Sequence, residues 1–141
     1  MKKTLLIISA LFISIGHVNA LTINVTDPSG ANYAPLVTNS LPWAINQINS
    51  AGAGPHVINI MVATTVVEGQ PAPYSLTNSN VTIDGTKAPG FSCVSGAPKF
   101  ILQGPAFNSF NVSGNNVTFL SIGITQFSLN VTGSGFKMFG C

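Results

Sequence analysis

An all-β fold, the parallel β-helix solenoid, is the class this 141-residue sequence predicts. Three observations predict it. First, Phe110–Ile122 recurs nineteen residues later as Leu129–Cys141, with Asn111 falling on Asn130, Val112 on Val131, Gly114 on Gly133 and Phe119 on Met138. A period near twenty marks an architecture in which each unit stacks on the next. Second, from Tyr74 onward the chain reads as short apolar-alternating segments separated by Asn, Gly, Ser and Pro. Third, only 6% of residues are charged while 45% are hydrophobic. Solubility then falls to Asn, Ser, Thr and Gln, which suit turns and strand faces better than helix surfaces. A hairpin meander would not require the same side chain to recur at a fixed period. Stacking does, because equivalent positions sit one strand spacing apart, about 4.8 Å.

The elements follow in order. Residues 1–20 read as a signal peptide: Lys2 and Lys3 precede the apolar run Leu5–Ile15, and Val18-Asn19-Ala20 is a small-residue cleavage site. The run is too short to span a bilayer, so the mature chain is expected to be exported, to the periplasm, cell surface or exterior, without a transmembrane segment. Residues 21–73 form the start of the domain. Leu21–Val25 alternates as a half-buried strand, and Asp27-Pro28-Ser29-Gly30 is turn chemistry. A capping helix is predicted around 40–50. Ser40 caps it, Pro42 sits in its first turn, and Leu41, Ala44, Ile45 and Ile48 share one face. An apolar strand follows over Val57–Val62, then a loop over Glu68–Pro73 broken by Gly69, Pro71 and Pro73.

Residues 74–141 are read as β-helix coils. Strands are predicted over Tyr74–Leu76, Val81–Ile83, Phe100–Gln103, Phe110–Val112, Val117–Leu120, Ile122–Ile124, Leu129–Val131 and Phe136–Phe139. Tyr74–Ile83 also resembles Phe110–Phe119 at an offset read as two periods. Asn24, Asn80, Asn111, Asn116 and Asn130 each begin an Asn-x-Ser/Thr triplet and are read as corner residues, since Asn tolerates the left-handed conformation of a sharp bend. The chain stops at Gly140-Cys141, part-way through a repeat. An open C-terminal end exposes apolar side chains and unpaired backbone groups. It is expected to pair with another chain or with missing C-terminal coils, and the isolated chain is expected to aggregate.

Ser40-Leu41, Ala44-Ile45, Asn49, Gly54 and Val57-Ile58-Asn59-Ile60, with Val81-Thr82-Ile83-Asp84-Gly85-Thr86 and Pro89-Gly90-Phe91-Ser92, resemble the N-terminal region of exported bacterial right-handed parallel β-helix repeat proteins, the pectin-lyase-like fold. Pro42-Trp43 departs from that pattern, where polar or basic residues are usual. The resemblance implies an elongated right-handed solenoid. Some relatives cleave or bind acidic polysaccharides, and others are adhesins or surface scaffolds without catalysis.

Beyond residue 20 the acids are Asp27, Glu68 and Asp84 and the cations Lys87, Lys99 and Lys137, with no arginine. A basic groove for nucleic acid is excluded, because phosphate contacts need clustered Lys and Arg. The acids are isolated in sequence, whereas glycoside hydrolysis needs paired carboxylates. Asp27 and Asp84 read as turn residues, Glu68 as a solvated charge, and Asp84 with Lys87 as a local ion pair. His56 has no Cys or His neighbour for a metal site. No catalytic residue, metal ligand or cofactor motif is assigned.

Cys93 and Cys141 are candidates for a disulfide, permissible after export, or else a pair of small buried hydrophobes. Tyr33, Trp43, Tyr74 and Phe91 are the candidate sugar-stacking residues, since an exposed ring offers a flat apolar face. The alternative is that they pack under the cap helix and its loops. The expected function is therefore a secreted or cell-surface scaffold, adhesin or glycan-contact module, with a polysaccharide or a host or cell-surface glycan as partner. The alternative is the start of a polysaccharide lyase or hydrolase whose catalytic coils lie beyond residue 141.

Overall fold

The computed structural model describes residues 20–63, 65–67, 72–95 and 97–140. The signal peptide expected over 1–20 lies outside them apart from Ala20, as do Glu68 and Cys141. The elements run β1 (Thr22–Val25), α1 (Leu41–Ser50), β2 (His56–Ile60), β3 (Thr65–Val67), β4 (Tyr74–Leu76), β5 (Val81–Asp84), η1 (Gly85–Lys87), η2 (Cys93–Ser95), β6 (Phe100–Val112), β7 (Thr118–Leu120), β8 (Ile122–Val131) and β9 (Lys137–Phe139).

Every strand pair is parallel, and the strands fall into two sheets. One has five strands in the order β1-β2-β5-β7-β9. In the other, β6 pairs along one edge with β3 and then β4, and along its other edge with β8. The inward residues stack strand on strand. Ile23 pairs with Ile58, Ile58 with Ile83, Ile83 with Phe119 and Phe119 with Met138. In the second sheet Leu76 pairs with Val112 and Val112 with Val131. Burying the side chains of Ile23, Ile58, Ile83, Phe119, Leu76 and Val112 removes apolar area from water, worth roughly 1.5–3 kcal/mol apiece, whereas Val131 and Met138 in the last strands stay partly exposed. Aromatic rings tie the two sheets together. Tyr74 stacks on Phe110 at 5.4 Å, and Phe110 meets the edge of Phe119 at 5.2 Å.

Helix α1 begins where the sequence places it. Ser40 Oγ accepts the Trp43 N–H, and Pro42 costs nothing there because the N–H it lacks would have had no helical partner in the first turn. Its buried face is Leu41, Pro42, Ala44, Ile45 and Ile48. The helix is part of the core. It also covers one side of β4, where the Asn49 side chain donates to the Ser75 carbonyl at 2.7 Å and accepts the Thr77 N–H at 2.9 Å.

These observations correct the expected fold class. The chain is an α/β-type fold of two parallel sheets, one of them a curled half-barrel, with one helix, and not an all-β right-handed parallel β-helix solenoid. Unequal connections and unequal strands are the physical reasons. Partners in the five-stranded sheet lie 35 residues apart from Thr22 to Val57, 25 from His56 to Val81, 36 from Thr82 to Thr118 and 19 from Thr118 to Lys137. The spacing near twenty thus holds for the last step alone. Tyr74 and Phe110, read as two periods apart, are direct neighbours.

Strand lengths differ as much. Two pairs of expected short strands are each one long strand, the 13 residues of β6 and the 10 of β8. Gly104 and Pro105 do not break β6. Its pairing with β8 shifts register between Gln103 and Asn108, the stretch in which Pro105 has no N–H to give.

Candidate functional site

The two described acids, Asp27 and Asp84, are committed to turns. Asp27 Oδ1 accepts the Ser29 N–H at 2.8 Å. Asp84 Oδ1 accepts the Thr86 N–H at 2.9 Å, capping η1, and its Oδ2 lies 3.9 Å from Lys87 Nζ. That ion pair is largely exposed on the lysine side and contributes little. Among the described residues no three His, Cys, Asp or Glu side chains cluster as metal ligands.

His56 is buried and structural. Its Nε2 lies 2.8 Å from the Gly52 carbonyl, which can only accept, so Nε2 carries the proton. Nδ1 is then free to accept the Leu21 N–H at 3.2 Å. The ring thereby ties the entry of β1 to the turn after α1.

The four candidate aromatics do not form one platform. Tyr74 is 1% exposed, its hydroxyl donating to the Gly30 carbonyl and its ring stacked in the core, so it offers no face to a sugar. Tyr33 is 52% exposed, and Phe91 is half-buried after η1. Trp43 is half-buried, packs against the core and lines a groove of about 420 Å³ between α1 and β1. Thr22, Asn24, Thr26, Asn39 and Gln47 line the same groove, and neither Tyr33 nor Phe91 does. Cys93 is disulfide-bonded, while Cys141, its expected partner, lies outside the described residues.

A second surface lies at the other end of the sheets. Among the described residues β8 and β9 pair on one edge only. Val131 (38% exposed), Met138 (46%) and Phe139 (52%) stand on this face with apolar side chains in water. A hollow of about 100 Å³ opens there, lined by Pro98, Ile122, Met138 and Phe139. The ten residues of β8 include no charge and no proline, the two devices that ordinarily blunt a free edge.

Amide pairs bridge neighbouring strands at both ends of the sheets. Asn130 Nδ2 donates to Asn111 Oδ1 at 3.0 Å, and Asn59 Nδ2 donates to Asn24 Oδ1 at 3.0 Å. Of the five asparagines that begin an Asn-x-Ser/Thr triplet, Asn80 and Asn116 are left-handed, with φ of 58° and 54°. Asn24, Asn111 and Asn130 lie within strands. Reading all five as corners missed the ladders. The signal was present as an apolar-Asn-Val-Ser/Thr tetrad at residues 23–26, 110–113 and 129–132.

No protein-family model, no curated protein and no solved structure matches this chain.

Proposed function

We propose that this chain is a non-catalytic scaffold module that associates through the free edge of its parallel sheets. The observation that carries the reading is the face of β8 and β9, uncharged along β8 and apolar at Val131, Met138 and Phe139. A strand added to such an edge gains a row of backbone hydrogen bonds and buries those side chains together. The described carboxylates support the same reading, since Asp27 and Asp84 spend oxygens on local N–H groups. A disulfide at Cys93 suits work in an oxidising compartment.

Sedimentation equilibrium over a hundredfold concentration range tests the proposal. The expected result is a mass that rises with concentration and falls back toward the monomer in Val131→Asp. A monomer at every concentration overturns it.

The groove at Trp43 supports a second reading, contact with an uncharged glycan. An indole beside two hydroxyls and three amides offers the stacking face and the hydrogen-bonding groups that a sugar ring takes. Calorimetric titration with neutral oligosaccharides should give heat that Trp43→Ala abolishes. Equal heat from the variant counts against this second reading.

A further inference from the structure

We infer that strand β1 of a second copy of this chain adds in parallel to the outer edge of β8, so that copies join head to tail. The inference rests on the edge-association reading above and names its partner.

The first support is sequence. The inward and outward pattern of β8 ends in Leu129-Asn130-Val131-Thr132, and its neighbour β6 carries Phe110-Asn111-Val112-Ser113 in register with it. A strand continuing that series needs an apolar residue, an asparagine, a valine and a hydroxyl. Strand β1 with its next residue reads Ile23-Asn24-Val25-Thr26. It is the terminal strand of the other sheet, so Thr22–Val25 has no strand on its outer edge among the described residues, and the Thr26 N–H beyond it is taken by the Asn39 carbonyl.

The second support is the direction of the amide ladders. In both pairs the later asparagine donates its Nδ2 to the Oδ1 of the earlier one. Asn130 therefore presents an Oδ1 with no donor, and Asn24 an Nδ2 with no acceptor, among the described residues. One group is what the other lacks. Seated in parallel, Asn24 donates to Asn130, and Val25 and Ile23, already buried in their own copy, fall in register with Val131 and Leu129 and expose no further apolar area to be covered. Tail-to-tail pairing of two β8 edges would instead run antiparallel and set two ladder acceptors against each other.

The third support is charge and backbone chemistry. Thr22–Val25 and Ile122–Val131 contain no charged residue and no proline, so nothing in either edge repels the other or interrupts the bonding. The seat on β1 is the groove beside α1, which is open along Thr22 and Asn24.

A charge-pair experiment on the full chain tests the inference. Asn24→Asp keeps an oxygen for Asn59 but replaces the outward donor with a carboxylate. Asn130→Lys puts an ammonium on the opposing edge. Both positions are exposed, and far-ultraviolet circular dichroism checks that each variant is folded. Each variant alone should self-associate about tenfold or more weakly than the parent. An equimolar mixture should regain head-to-tail association, because the carboxylate of one variant meets the ammonium of the other at one seam and the unaltered Asn24 and Asn130 edges meet at the next. Val131→Asp mixed with Asn24→Asp should stop at a discrete one-to-one dimer, because one seam joins two unaltered edges and the other would set two carboxylates together.

Parent-level association of Asn24→Asp alone overturns the head-to-tail inference and leaves edge association standing. So does a mixture that stays monomeric while the parent associates. A parent that never associates removes both.

Discussion

At the scale of single residues, backbone approaches are closest at two glycines. A Cβ on Gly114 would fall on the Asn78 carbonyl, and one on Gly133 on the Gly114 carbonyl. The chain passes from strand to turn at both places, where the Ser113 N–H donates to Leu76 and the Thr132 N–H to Val112. Neither obstacle is a side chain that can rotate away, so Gly114→Ala is expected to destabilise by about 3 kcal/mol, the upper range for overpacking. Gly52→Ala is the matched control, since nothing lies within 4 Å of its added methyl. Urea denaturation of the two variants checks the prediction, and equal midpoints would refute it. The pairing of Gly114 with Gly133 is legible in the repeat, because the two align at nineteen residues. What the spacing cannot show is that Gly114 also rests on Asn78, 36 residues back.

At the scale of elements, α1 shows where local sequence carries enough and where it does not. Its limits follow from Ser40, Pro42 and the apolar spacing of Leu41, Ala44, Ile45 and Ile48, all local signals. Loss of the cap in Ser40→Ala should cost about 1 kcal/mol. Asn49→Ala should cost more, about 1–3 kcal/mol, for a reason no window of sequence reveals. That one side chain binds Ser75, Thr77 and Asn78, so its loss takes a partner from backbone groups of β4 and the turn after it. Thermal melts of the two variants rank them. Asn49→Ala proving the milder would show that the clamp onto β4 matters less than the cap. Strand fusion had the opposite fate. Gly104-Pro105 is local breaker chemistry, yet β6 continues because its two halves find different partners, β3 and β4, on the same edge. A pairing set by residues 36 positions away overrides a local stop. Strand β3 itself, Thr65–Val67, is too short and uniform to alternate, and no element was expected there. The candidate site divides the same way. The tetrad at 23–26 and 129–132 is readable in the sequence, while its placement on two free edges is a property of the topology.

At the scale of the whole molecule, the two ends of the sheets are different objects. At one end α1 covers β4 and flanks β1, and at the other β8 and β9 stand uncovered among the described residues. Unlike ends meet in a heterologous contact, and such a contact grows without limit unless its rotation closes a ring. The seam proposed here carries no charge on either edge; the nearest on the uncovered face is Lys137, in β9. Its strength then comes from strand pairing and from water released at Val131 and Leu129, Ile23 and Val25 being buried already. Screening acts on charges, and apolar burial is instead strengthened by sulfate. Association measured by light scattering should therefore change less than about twofold between roughly 50 mM and 500 mM sodium chloride. It should tighten when sulfate replaces chloride at the same ionic strength. A steep loss of association with sodium chloride would mean that ion pairs hold the copies together. In a chain with so few charges the candidates would then be Lys99 and Lys137 meeting Asp27 or Asp84, and the β1–β8 seam would have to be abandoned.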